Sequence, residues 1–306
     1  MTALVFYSDF DEPEAWKAAL KAQMPELEFR QGGDPSGVVA ALVWKPPAGF
    51  FLPYRDLRLI VNLGAGVDSL VRRDDLPDVP ISRLNDAGMV QLMTSYVTHA
   101  VTHYARDFHL MERNRSKRIW EYIHPRALSS HRVSVLGLGE LGGAAASALA
   151  AMGYDVTGWA RSAKSIPGVR CLSGPEGFST ALREADTVVL MLPLTPGTTG
   201  VIDAAALAAM KPGVNLINVG RAGLVDETAL IAALRAGQVA EATLDVFHEE
   251  PLPGSHPFWS LEQVRITPHI ASITVPESAA VDVAESIRRV LRGEPPLHQV
   301  DAARGY

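Results

Sequence analysis

The chain has 306 residues, 47% of them hydrophobic and 20% charged, and carries a formal net charge of −6. That length suggests two domains of ordinary size, and the composition supports a substantial buried core. The negative balance, with no basic run, argues against nucleic acid or an anionic membrane as partner.

Cys171 is the only cysteine, so no intrachain disulfide forms, as expected of a reducing compartment. The opening Met1-Thr2-Ala3-Leu4-Val5-Phe6-Tyr7 lacks the basic start and cleavage site of a signal peptide. No run reaches the roughly 18 apolar residues of a membrane span. A cytoplasmic location is the expectation.

In chain order, apolar runs at 4–7, 38–44 and 57–63 read as strands. Residues 11–24 have helical spacing, with Trp16, Ala19, Leu20 and Met24 on one side. Met89, Met93, Val97, Ala100, Tyr104 and Phe108 then recur at three- or four-residue steps. They predict one long amphipathic helix crossing from one domain to the other. Residues 113–131 are polar and irregular, as in a surface arm. A clearer α/β series follows, with strands expected at 132–136, 155–159, 187–192, 215–219, 242–246 and 264–267. Asp226 is placed to cap a helix that Gly237 stops. Thr274 and Glu277 form a capping box for a last helix, which is expected to return to the N-terminal domain. The fold class is α/β, with two Rossmann-like doubly wound domains. A nucleotide-binding domain (99–274) is inserted into a discontinuous substrate domain (1–98 and 275–306).

The loop Gly137-Leu138-Gly139-Glu140-Leu141-Gly142 has the G-x-G-x-x-G pattern. With 25 glycines in the chain, that pattern alone arises by chance about 0.16 times. Its setting is more specific, because a strand precedes it and residues 144–152 form a strong helix. Gly137 permits the tight turn, Gly139 lets backbone approach a pyrophosphate, and Gly142 lets helix and strand pack. An NAD-selective fold places an acid about 20 residues on. Here that position falls near the uncharged Ala160, followed by Arg161, Ser162 and Lys164. NADPH is therefore the expected cofactor, with NAD as the alternative.

Three strand ends carry groups suited to reducing a carbonyl beside a carboxylate: Asn218-Val219-Gly220-Arg221, the stretch 244–253, and Thr267-Pro268-His269. An arginine would bind the carboxylate with two hydrogen bonds, and a histidine beside a carboxylate would protonate the new alkoxide.

The glycine loop, Arg221, residues 244–253 and Pro268-His269 resemble the signature motifs of the D-isomer-specific 2-hydroxyacid dehydrogenases. Val43-Trp44-Lys45-Pro46-Pro47, Leu63-Gly64-Ala65-Gly66-Val67-Asp68-Ser69, Trp159-Ala160-Arg161-Ser162 and Ala303-Arg304-Gly305-Tyr306 resemble the branch that reduces glyoxylate to glycolate and hydroxypyruvate to glycerate. The resemblance implies that Arg221 binds substrate carboxylate and carbonyl, that His269 is the general acid and that Glu250 orients it. It implies that Gly64, Ala65 and Gly66 offer backbone amides to the carboxylate, with Trp44 and Lys45 on the substrate side. It implies that Asp245 lies near the nicotinamide, and that Leu192, Pro193, Val219, Gly220 and Trp159 line the cofactor site. It also implies a homodimer through the nucleotide-binding domains; no metal is expected, because no Glu or Cys nearby completes a site with His99 and His103. The usual Arg-Gly pair is Arg221-Ala222 here.

Some readings stay open. Lys45 either adds a cation for more anionic substrates or is merely exposed. Trp44, Trp159 and Trp259 are core or cleft. His99 and His103, four apart, read as a packed or interface pair rather than a metal site. A nucleotide-sensing binding protein of the corepressor type and a dehydrogenase of bulkier 2-keto acids are the alternative functions.

Overall fold

The computed structural model describes residues 2–301. The 303–306 motif therefore lies outside the described residues. The chain divides into two compact units, Met1–Met89 with Ile273–Tyr306, and Val90–Ser272.

The first unit holds a parallel five-stranded sheet in the order β2-β1-β3-β4-β5. Its strands are β1 (Ala3–Tyr7), β2 (Glu28–Arg30), β3 (Val38–Val43), β4 (Leu59–Asn62) and β5 (Ile81–Arg83). β1, β3 and β4 are almost wholly buried, which is why each reads as a continuous apolar run and not as an alternation. The edge strands β2 and β5 are three residues each and only partly buried, too short and polar to stand out in the sequence. α1 (Pro13–Gln23) buries Trp16 and Leu20. The short α2 (Asp68–Val71) follows the Gly64–Gly66 segment.

α3 (Ala87–Ala105) and α4 (Phe108–Ser116) correct the sequence reading twice. The stripe from Met89 to Tyr104 is buried as expected, but Asp107 adopts a left-handed conformation (φ 56°) and ends the run before Phe108. Residues 108–116, partly read as an irregular arm, are helical. Their polar sequence buries no residue, so no apolar period announced them.

The second unit holds a parallel seven-stranded sheet in the order β12-β11-β10-β9-β6-β7-β8. Its strands are β6 (Arg132–Leu136), β7 (Asp155–Ala160), β8 (Arg170–Ser173), β9 (Thr187–Leu190), β10 (Val214–Asn218), β11 (Val239–Leu244) and β12 (Val264–Ile266). Its remaining helices are α5 (Glu140–Ala151), α6 (Gly174–Glu184), α7 (Ala204–Ala209) and α8 (Glu227–Ala236). The strand order reverses between β6 and β9, the switch point where open α/β sheets bind ligands. The Asp226 side chain accepts from Ala229 N–H, and Gly237 ends α8 with φ 74°, as the sequence suggested. The edge strand β8 was not anticipated; Arg170 and Ser173 are exposed and Cys171 and Leu172 only half-buried.

α9 (Pro276–Leu291) packs on α1 in the first unit. The expected capping box does not form. Val275 is the cap residue and makes no side-chain cap bond, while the Thr274 hydroxyl donates to Leu63 O at 3.3 Å. Pro276 in the first turn has no N–H to satisfy, which removes one donor such a box would serve.

Candidate active site

In the second unit, register aligns the ends of five strands. Leu136 pairs with Leu190, Leu190 with Asn218, Asn218 with Leu244, and Leu244 with Ile266. The residues that follow are Gly137, Met191, Val219, Asp245 and Thr267. Trp159 of β7 pairs with Leu136 as well, so every sequence-derived group on this unit lies at this end of the sheet, within a few residues of the row.

The glycine loop fits a pyrophosphate on three counts. Gly137 has φ 113°, and a Cβ there would meet Met191 O at 2.5 Å. Gly142 packs so closely that its Cβ would lie 1.9 Å from Gly137 O. A Cβ on Gly139, by contrast, would meet nothing within 4 Å. Two glycines therefore shape the turn, and the third leaves open backbone at the N-terminus of α5, where N–H groups and the helix dipole favour an anion. Glu140 is exposed in the first turn and Leu141 is half-buried.

Leu192 and Val219 are buried, and Pro193 and Gly220 half-buried, at the ends of β9 and β10. Trp159, half-buried at the end of β7, donates from Nε1–H to Gly174 O at 2.9 Å, and its ring meets Phe178 edge-on at 5.0 Å. Arg161 and Ser162 are exposed just past Ala160, as is Lys164.

His269 sits two residues beyond Thr267 with φ 57°. Its Nδ1 lies 2.9 Å from Glu250 Oε2 and 3.1 Å from Oε1. Glu250 Oε1 also accepts the Phe247 N–H at 3.0 Å, which fixes the carboxylate. With Nδ1 on a carboxylate, Nε2 is the nitrogen left to exchange a proton with a ligand. Asp245 is only 1% exposed. Burial pushes its carboxyl above the usual range, against hydrogen bonds from Thr267, Ala271 and Ile270. Both of its oxygens serve the protein's own groups: Thr267 Oγ1 at 2.6 Å and the N–H groups of Ile270 and Ala271 at 2.9 Å each.

Arg221 is half-buried and donates from Nη1 to Gly220 O at 2.8 Å. The sequence reading overlooked what shapes its turn. Asn218, 2% exposed, accepts from Gly220 N–H at 3.1 Å and donates to Arg221 O at 3.0 Å.

In the first unit a second buried asparagine does the same work. Asn62, last residue of β4, donates from Nδ2 to Gly64 O at 2.9 Å and to Gly66 O at 3.1 Å. Gly64 N–H is spent on Asn62 O at 2.8 Å, so of the three amides expected to meet a carboxylate this one is already engaged within the chain. The Trp44 ring packs on Gly64, where a Cβ would lie 3.0 Å from Cζ3. Lys45 is exposed with φ 44°, its Nζ 5.6 Å from the Trp44 ring centre.

Among the described residues, no three His, Cys, Asp or Glu side chains gather as a metal site. His99 and His103 pack with their rings 6.1 Å apart. Trp259 is 55% exposed and donates to Pro253 O. Among the described residues, no helix is long and apolar enough to cross a membrane.

A glycine loop at the switch point of a 3-2-1-4-5-6-7 parallel sheet, with a carboxylate–imidazole pair on the same row of strand ends, is the arrangement of a Rossmann-type dehydrogenase. Residues 98–271 match the family model of the D-isomer specific 2-hydroxyacid dehydrogenase, NAD binding domain. The chain belongs to this family. It is 36% identical over 311 residues, 99% of each chain, to glyoxylate/hydroxypyruvate reductase A of Yersinia enterocolitica. It resembles a D-isomer specific 2-hydroxyacid dehydrogenase of Xanthobacter autotrophicus Py2 in complex with NADPH and MES, with a TM-score of 0.97 and 52% identity over 100% of this chain and 99% of that one. It also resembles the NADPH-dependent glyoxylate/hydroxypyruvate reductase of Sinorhizobium meliloti in complex with NADP and sulfate, with a TM-score of 0.94 and 33% identity over 100% of both chains.

Proposed function

We propose that the protein is an NADPH-dependent reductase of small 2-keto acids, converting glyoxylate to glycolate and hydroxypyruvate to glycerate. The observation that carries this reading is the Glu250–His269 contact at 2.9 Å on the strand-end row that also bears Arg221 and the glycine loop. The Yersinia and Sinorhizobium relatives carry the same reductase name, and the Xanthobacter and Sinorhizobium structures hold NADPH or NADP.

NADPH, when bound, supplies the hydride that reduces the carbonyl carbon. Gly137, Gly139 and Gly142 with the start of α5 would hold its pyrophosphate, and Arg161, Ser162 and Lys164 its 2′-phosphate. Leu192, Pro193, Val219 and Gly220 would border its nicotinamide half. Arg221 binds the substrate carboxylate and carbonyl through its planar fork of donors, and Ala65 and Gly66 offer amides to the carboxylate. Trp44 and Lys45 contribute on the substrate side. His269 Nε2 donates the proton to the carbonyl oxygen as it becomes a hydroxyl, and Glu250 holds the Nδ1 side. The products are the 2-hydroxy acid and oxidised cofactor.

The second unit also offers a surface for a homodimer. A groove of about 600 Å³ along α3 is lined by Thr94, Thr98, His99, Thr102 and Phe108 among others, and Trp120 and Tyr122 beyond α4 are 99% and 75% exposed. Covering such rings favours association. A cytoplasmic location fits the single cysteine.

The test is a panel of 2-keto acids assayed with NADPH and with NADH. Glyoxylate and hydroxypyruvate should drive NADPH oxidation at a higher kcat/KM than NADH oxidation. No oxidation with any 2-keto acid would rule out the reductase.

A further inference from the structure

The turn that carries His269 is held from below by a chain of hydroxyls reaching back to α3. The Tyr96 hydroxyl lies 2.5 Å from Thr267 Oγ1, and Thr267 Oγ1 donates to Asp245 Oδ1 at 2.6 Å. The threonine has one hydrogen and spends it on the carboxylate, so the tyrosine is the donor of the outer pair. The order is therefore one-way, from Tyr96 to Thr267 to Asp245. Beyond the carboxylate lie the N–H groups of Ile270 and Ala271, while Asp245 O accepts the His269 N–H at 2.9 Å. Residue 269 is thus tied to Asp245 through its own backbone and through the two residues after it.

That binding has a conformational counterpart. His269 adopts φ 57°, and a non-glycine residue in this region persists only where its surroundings impose it. Tyr96 is partly buried against the α3–sheet core, Asp245 is buried, and a polar chain in such a place fixes a single geometry when each member is satisfied.

We propose that Tyr96 and Thr267 are positioning residues for the reaction. Through the Asp245 carboxylate they hold the 269–271 turn so that His269 keeps Nδ1 on Glu250 and Nε2 toward the substrate. This rests on the reading of His269 as the proton donor. It gives the Asp245 carboxylate a task inside the protein, in addition to any contact with the nicotinamide. Burial pushes the Tyr96 hydroxyl up to about 12, so it keeps its hydrogen and remains a donor through the neutral range. Burial also pushes the Asp245 carboxyl up, so each donor that remains on it favours the charged form.

The experiment compares Tyr96→Phe, Thr267→Val and Thr267→Ser with the wild type, with rates expressed per folded enzyme. With glyoxylate and NADPH, kcat should fall about tenfold in Tyr96→Phe and about a hundredfold in Thr267→Val, as expected when a proton donor is misplaced by an ångström or less. The Kd for NADPH should stay within about twofold of wild type, and Thr267→Ser should recover most of the rate, since it restores the hydroxyl. Long-range ¹⁵N–¹H spectra of the imidazoles, taken without substrate, should show the His269 signals displaced or broadened in Tyr96→Phe and Thr267→Val and restored in Thr267→Ser. Wild-type kcat in Tyr96→Phe and Thr267→Val overturns the proposal, as does an equal loss in Thr267→Ser and Thr267→Val. Should the wild type reduce no 2-keto acid, the functional reading fails, and the spectra alone decide. Unchanged His269 signals in both hydroxyl-deletion variants would then dismiss the positioning role.

Discussion

Glu250 meets His269 with both carboxylate oxygens, at 2.9 and 3.1 Å from Nδ1, and one of those oxygens also accepts the Phe247 N–H. The carboxylate is therefore oriented by backbone before it orients the imidazole. Glu250→Gln keeps the size of the side chain while removing the charge and offering a donor to Nδ1. The expected outcome is a drop in kcat of about a hundredfold with glyoxylate, the range of a general acid put in the wrong state. NADPH affinity, measured by fluorescence titration, should be unchanged. A variant within twofold of wild-type kcat would remove Glu250 from the mechanism.

The two ends of the glycine loop should separate folding from cofactor binding. Gly142→Ala places a Cβ 1.9 Å from Gly137 O, a backbone atom that has little freedom to move, so Tm should fall clearly. Gly139→Ala meets nothing within 4 Å, and its φ of −74° suits alanine, so Tm should hold or rise slightly. Its methyl would instead occupy the space proposed for the pyrophosphate, and NADPH should bind at least about tenfold more weakly. Undiminished NADPH binding in Gly139→Ala would move the cofactor elsewhere.

Much of this site was legible because its chemistry lies in residues that stand out in sequence. Arg221, Glu250 and His269 fall at strand ends, and strands buried on both faces announce themselves as apolar runs such as Leu216 and Ile217 in β10. What escaped were the residues that hold the site in shape. Asn62 and Asn218 each end a strand, and each bonds backbone two to four residues further on. A lone asparagine after an apolar run carries no periodic signal, yet a buried amide at that point is conspicuous once its two hydrogen bonds to the following turn are seen. Tyr96 was hidden for a different reason. It lies on a helix whose apolar stripe accounts for its presence, and Thr267 is 171 positions away in the chain. The Thr274–Glu277 pattern misled because local spacing cannot show that the Thr274 hydroxyl is claimed by Leu63 O.

Cofactor preference should rest on the cations after β7. Ala160 stands where an acid would bond a ribose hydroxyl, and Arg161 and Lys164 are exposed beyond it. Arg161→Ala combined with Lys164→Ala should reduce the ratio of kcat/KM for NADPH over NADH by about tenfold or more, corresponding to about 1.4 kcal/mol. Most of the change should fall on KM for NADPH, the signature of binding lost equally in the ground and transition states. An unchanged ratio would transfer 2′-phosphate recognition to other residues.

Acid should weaken the protein through His103. Its side chain is 4% exposed, and Nε2 has no hydrogen-bond partner among the described residues. Burial, with help from the Arg265 charge, pushes its pKa down to about 4, while Glu112, 4.0 Å away, pulls the other way and His109 and His99 add to the lowering. An unfolded histidine titrates near 6.5. Between those values the unfolded chain binds the proton and the folded one does not, so stability is lost as pH falls from about 6.5 toward 4. At about pH 5 this single group should cost roughly 2 kcal/mol relative to pH 8. His103→Phe keeps a ring against Tyr104 and Phe108 and cannot take up the proton. Denaturant unfolding at the two pH values should therefore show a smaller acid loss in His103→Phe than in the wild type, by about that amount. Equal losses in the two proteins would show that His103 is not buried neutral in the folded state.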